Sequence, residues 1–186
     1  MKDYTSQIMS KLNGMERIIN DRQSNEKRTE QCALLTTLLT RNFVIFPALK
    51  ASNVLIELSW FFKQVTHNGP WDLKRDNSWR QTLGIEPIPA YGVKGKQNEK
   101  FKFSGKIVDR EELGNITYGY LGKAMNFPDK LIYLGGGVAA QGKNLYEMVV
   151  NSAKNLSQLL NDPYFGDSKE DHENVEFGIK LYNQSH

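Results

Sequence analysis

The sequence predicts an α+β fold: a mostly helical single domain with a small antiparallel sheet. Apolar residues recur at helical spacing in most of the periodic segments. The alternation that a strand requires is confined to Phe101–Val108. Bulk is the third observation. The chain has 186 residues, 39% of them hydrophobic, with three Trp, eight Tyr and nine Phe, which is enough for a sizeable core and too much for a disordered chain.

Residues 3–20 place Ile8, Leu12, Met15 and Ile19 on one helical face. The polar run Asp21–Glu30 reads as a loop or an exposed turn. Cys32–Phe46, dense in leucine, reads as a buried helix that stops near Pro47. Ser52 or Asn53 caps a third helix running to about Val65, and Asn68-Gly69-Pro70 ends it with strong turn chemistry. In Trp71-Asp72-Leu73-Lys74, residues two apart share a face if the segment is extended, so Asp72 and Lys74 point the same way. That pair fits a surface ion pair, or a carboxylate and an ammonium held in a cleft walled by Trp71.

Residues 84–100, rich in Gly and Pro, form a long loop ahead of the strand segment. Asp109-Arg-Glu-Glu112 then leads into Leu113-Gly-Asn-Ile-Thr-Tyr-Gly-Tyr-Leu-Gly122. Glycine disfavours regular structure, so Gly114, Gly119 and Gly122 call for a turn or a close backbone approach. One reading is a turn leading into a tightly packed helix over Tyr118–Met125. The other is the floor of a cleft, with Glu111 and Glu112 at its lip and Asn115, Tyr118 and Tyr120 facing a ligand. Pro128 opens a further helix reaching Gln141. Its Gly135-Gly136-Gly137 lacks the residues of a phosphate-binding loop and reads as a place of close helix packing. Asn144–Leu160 is again helical, Asp162–Asp167 is a turn, and Ser168 with Asp171 caps a last helix carrying Val175, Ile179 and Tyr182.

Composition removes several chemistries. Cys32 is the single cysteine, and it excludes an intramolecular disulfide and a cysteine-based zinc cluster. His67, His172 and His186 are scattered, so neither a metal nor a cofactor is expected. A net charge of +3 permits an anionic partner without requiring one. The N-terminus lacks the apolar run of a secretory signal, and Pro47, Lys50 and Glu57 break the most apolar stretch short of membrane-spanning length. No membrane span is expected, and export would need a dedicated delivery machine.

Taken together, Gly69-Pro-Trp-Asp-Leu-Lys74, Gly114–Gly122, Asp162-Pro-Tyr-Phe-Gly-Asp167, Asp171 and Gly178-Ile-Lys-Leu-Tyr182 resemble, in that order, the bacterial polymorphic toxin type 44 domain family. The resemblance implies a toxin domain for competition between bacteria, fused to a delivery module of a secretion system and neutralised by a cognate immunity protein. Residues 1–57 would be a helical leader or extension, and 58–186 the toxin domain. Such a toxin acts in the target cell, with the periplasm or cell wall expected ahead of the cytoplasm.

The available groups are carboxylates, one motif lysine, tyrosines and an asparagine. They fit cleavage of the glycan of peptidoglycan, in which a carboxylic acid protonates the glycosidic oxygen and a second carboxylate assists. Glu112 or Glu111, beside apolar and aromatic neighbours, is the candidate acid, and Asp72 or Asp167 the second carboxylate. Trp71, Tyr118 and Tyr120 would offer stacking faces to sugar rings. A metal-independent ribonuclease is the alternative, with Lys74 stabilising phosphorane charge and Glu112 or His172 moving the proton on an RNA substrate. A non-enzymatic domain binding a partner through its glycine–tyrosine surface is the third reading.

Overall fold

The computed structural model describes residues 1–23, 53–75, 78–84, 99–142 and 158–186. The elements are α1 (Thr5–Arg22), α2 (Asn53–Val65), one π-helical turn (Trp79–Leu83), strands β1 (Phe101–Phe103) and β2 (Lys106–Val108), α3 (Arg110–Ala124), α4 (Asp129–Ala140) and α5 (Lys169–Ser185). This is the predicted helical α+β fold with a two-stranded antiparallel sheet. The helix expected over 32–46 lies outside the described residues. Of the one expected over 144–160, residues 158–160 are described, and they are helical. Among the described residues no helix is long and apolar enough to cross a membrane.

The single strand expected over 101–108 is a hairpin. Ser104 and Gly105 both take positive φ, 48° and 79°, so the chain reverses in two residues and pairs Phe101 with Val108. Two successive left-handed residues match the twist of the flanking strands. The N-terminus is stitched to this hairpin: the Lys102 N–H donates to the Lys2 carbonyl at 2.9 Å, and the Tyr4 N–H to the Lys102 carbonyl at 3.0 Å. From there α1 buries the predicted face, Ile8, Leu12, Met15 and Ile19, in one core shared with α3, α5 and the hairpin.

The glycine stretch needs the largest correction. The turn expected at its start is absent: the stretch is the body of α3, which begins eight residues before Tyr118. Asp109 caps it, its side chain accepting from the N–H groups of Glu111 and Glu112 while the Glu112 carboxylate accepts from the Asp109 N–H. This reciprocal pair satisfies donors that a helix start leaves open. The glycines serve close approach. A Cβ on Gly119 would overlap the Val175 carbonyl oxygen of α5, and one on Gly178 of α5 would overlap the Ile116 carbonyl oxygen of α3. The two helices therefore touch backbone to backbone at two matched points.

Gly119→Ala and Gly178→Ala should each lower stability by about 1–3 kcal/mol, because a rigid carbonyl cannot yield to the new methyl. Gly14→Ala in α1 meets open space and should instead raise stability by about 0.5–1 kcal/mol. Chemical denaturation of the three variants checks both signs.

Candidate active-site cleft

A cleft of about 550 Å³ opens where α3, α4, the start of α5 and the 71–75 segment meet, with Phe62 and Val65 of α2 on its apolar wall. On α3, Glu111, Asn115 and Tyr118 lie at i, i+4 and i+7, which puts all three on the helix face that lines it. Asp171, in the first turn of α5, is drawn to the same place by a hydrogen bond from the Asn115 amide. Its other oxygen meets the Ser168 hydroxyl at 2.9 Å, and Ser168 in turn caps α5 as predicted.

The 71–75 segment supplies the cationic side. It is a turn, not an extended strand. Asp72 is buried, accepts from the N–H groups of Asn68 and Lys74, and pairs with Arg75 at 3.6 Å. Its ionic partner is therefore Arg75, where alternation had pointed to Lys74. The Lys74 side chain instead lies over Gly114, where even a methyl group would collide with it. Two buried groups anchor the segment from beneath. The Arg110 guanidinium donates to the Lys74 carbonyl at 2.7 Å, and the Trp79 indole to the Leu73 carbonyl at 2.6 Å.

Two carboxyl groups in the cleft are perturbed. Burial pushes Glu111 above the usual glutamate range, opposed by Lys74 and reinforced by Asp171. Burial likewise pushes Asp167 up, against the Ser168 N–H that donates to it at 2.9 Å. Desolvation disfavours the charged form, so each carboxyl holds its proton to higher pH than it would in water.

Asp72, Lys74, Glu111, Asn115, Tyr118, Asp167 and Trp71 thus share one cleft. Two expected members do not. Glu112 is held by the capping box and by Lys100 at 3.6 Å, one residue and about 100° round the helix from Glu111. Tyr120 is fully buried on the opposite side of α3, its hydroxyl donating to Glu16 of α1 at 3.3 Å and its ring edge-on to Tyr182. It is core. Tyr118 offers the cleft its ring alone, since its hydroxyl donates to the Ile132 carbonyl at 2.8 Å and burial holds the phenol protonated.

Arg75 and Asp171, which sequence reasoning did not assign to a site, also line the cleft. The choice of Glu111 over Glu112 did have a signal: Asp109 and Glu112 have capping-box spacing, and with the helix start known, 111, 115 and 118 fall on one face. His67 also reaches the rim, with Arg75 donating to its Nδ1 at 2.8 Å. Among the described residues no group of three or more His, Cys, Asp or Glu is arranged to hold a metal ion.

The fold and cleft define a small helical domain with a preformed site of carboxyl groups facing a lysine and an arginine. Residues 60–184 match the family model of bacterial toxin 44. The chain belongs to that family and carries a bacterial toxin domain. Comparison with curated proteins returns no significant match, and comparison with solved structures returns none either.

The raised Glu111 group has a stability consequence. A carboxyl whose folded pKa is raised supports the fold fully below its unfolded value, about 4.3. That support is lost as pH rises through the folded value. Glu111→Gln should therefore melt higher than the parent at pH 7, and the gap should close near pH 4. Thermal melts at the two pH values read this directly.

Proposed function

We propose that this toxin domain hydrolyses the glycan strands of peptidoglycan by carboxylate acid/base chemistry, with Glu111 as the general acid. The observation that carries the reading is a desolvated carboxyl with a raised pKa, placed in a cleft beside a second perturbed carboxyl, Asp167. Glycosidic cleavage requires an acid that holds its proton more tightly than an ordinary carboxyl, and burial shifts Glu111 in that direction.

Glu111 would give its proton to the bridging oxygen as the C1–O bond breaks, leaving positive charge at the anomeric centre. The Asp167 carboxylate would stabilise that charge and take the proton of the water that completes hydrolysis. Lys74, over Gly114 and electrostatically coupled to both carboxyls, favours their ionised forms. It thereby limits how far burial raises them and eases release of the Glu111 proton to the leaving oxygen. Asp72 holds Arg75 and the turn in place. Such a substrate would place the action at the wall of the target cell, and a producing cell would need an immunity protein that covers this cleft.

The Lys74–Arg75 pair favours a second reading, a ribonuclease, because two cations can neutralise a phosphodiester. His67 serves that reading poorly. With Nδ1 accepting from Arg75, the neutral ring carries its proton on Nε2 and has no free lone pair for a base.

Glu111→Gln should fold, bind substrate and lose on the order of 10²–10⁴ in rate of sacculus digestion. Glu112→Gln should stay active, since glutamine can still complete the cap. The opposite pattern would return the acid role to Glu112. Expression with and without an export signal separates the targets: lysis only on export supports a wall substrate, and killing only without export supports RNA.

A further inference from the structure

Beside the cleft, around the turn that carries Asp167 and close to that carboxyl, four aromatic rings come together that the proposed hydrolysis does not use. Tyr133 of α4 and His172 of α5 lie 4.4 Å apart between ring centres, tilted by 33°. Phe165 is parallel to His172 within 6° at 6.1 Å, and 29° from Tyr133 at 5.7 Å. Tyr164 meets His172 edge-on at 5.6 Å. All four residues are half-buried, so this packed set of rings, with Phe165 parallel to His172 and Tyr164 edge-on, stays open to solvent in part.

This arrangement is held at a cost in backbone geometry. Phe165 has φ of 57°, a left-handed conformation that bulky side chains rarely adopt. It is over-determined there. Asp162 accepts from the N–H groups of Tyr164 and Gly166, and the Phe165 carbonyl is pressed against Gly137 of α4. Strained non-glycine residues that the surroundings enforce concentrate at ligand sites. The same turn places Asp167 in the cleft two residues later, and Asp171 of the cleft is the neighbour of His172.

We infer that Tyr133, Tyr164, Phe165 and His172 form a stacking subsite for a sugar ring of the glycan strand, next to the bond that Glu111 and Asp167 act on. The inference rests on the glycan reading and extends it. A pyranose presents an apolar face of C–H groups that packs on an aromatic surface, and a polymer must be gripped beyond the residue being cut. Burial pushes the Tyr133 phenol up to about 12, so its hydroxyl remains a hydrogen-bond donor to a sugar oxygen throughout the working pH range. The role of His172 is to be a flat ring, not to move a proton.

The test uses the full chain and chitotetraose, an oligomer of N-acetylglucosamine, as the binding probe, titrated calorimetrically into the Glu111→Gln background. His172→Ala and Tyr164→Ala should each weaken binding about tenfold. His172→Phe, which keeps a ring and cannot titrate, should bind within about threefold of the parent. In the active background His172→Ala should raise KM for glycan with kcat nearly unchanged. If His172→Phe binds as weakly as His172→Ala, or if neither Ala variant alters binding, the subsite is overturned. Absence of any chitotetraose binding by the parent overturns it as well. The glycan-hydrolase reading fails separately, if sacculi are not digested, and the binding titration reads the subsite whatever that assay returns.

Discussion

The reciprocal contact of Gly119 and Gly178 governs the geometry of everything else. Each glycine lies against a carbonyl oxygen of the other helix, so α3 and α5 approach backbone to backbone with no side chain between them. That approach brings the start of α5 to the face of α3 that carries Glu111, Asn115 and Tyr118. The Asn115–Asp171 hydrogen bond then ties the two helices together at the cleft. Were the helices spaced by ordinary side chains, about 8–10 Å apart between axes, the carboxyls of the two elements would lose their common pocket.

A second set of contacts keeps the opposing charges in register. Arg110 and Trp79 are buried beneath the 71–75 turn and hold its carbonyls. The turn can therefore project Lys74 and Arg75 toward Glu111, Asp167 and Asp171 without a continuous strand or helix behind it. The balance of charge across the cleft matters to its chemistry. Burial raises the pKa of Glu111 and of Asp167, whereas Lys74 opposes that effect at both. The glycines of α4 complete the enclosure, because Gly135 admits the Tyr118 hydroxyl and Gly137 admits the turn that carries Phe165 and Asp167.

Much of this was legible in the chain itself. Period and capping chemistry suffice for the apolar face of α1, the helix that opens at Pro128 and the last helix capped by Ser168, because both are local properties of the backbone. Close packing at Gly135–Gly137 was legible for the same reason: without a nucleotide-binding pattern, glycines inside a helix leave a near neighbour as their purpose. The order of the Gly69–Lys74, Gly114–Gly122 and Asp162–Asp167 motifs was enough to indicate the toxin 44 family, which the match over residues 60–184 establishes.

What tertiary structure decided was direction. Glu111 and Glu112 are adjacent and chemically alike, yet one is desolvated in the cleft and the other is consumed in capping its own helix. Tyr118 and Tyr120 divide in the same way between cleft and core. A helix turns about 100° per residue, so an error in where α3 begins reassigns every side chain on it. The start of α3 could be read from Asp109 and Glu112. Which of its faces meets α5, α1 or open water depends on the Gly119–Gly178 contact, between residues far apart in sequence, and no local pattern encodes that.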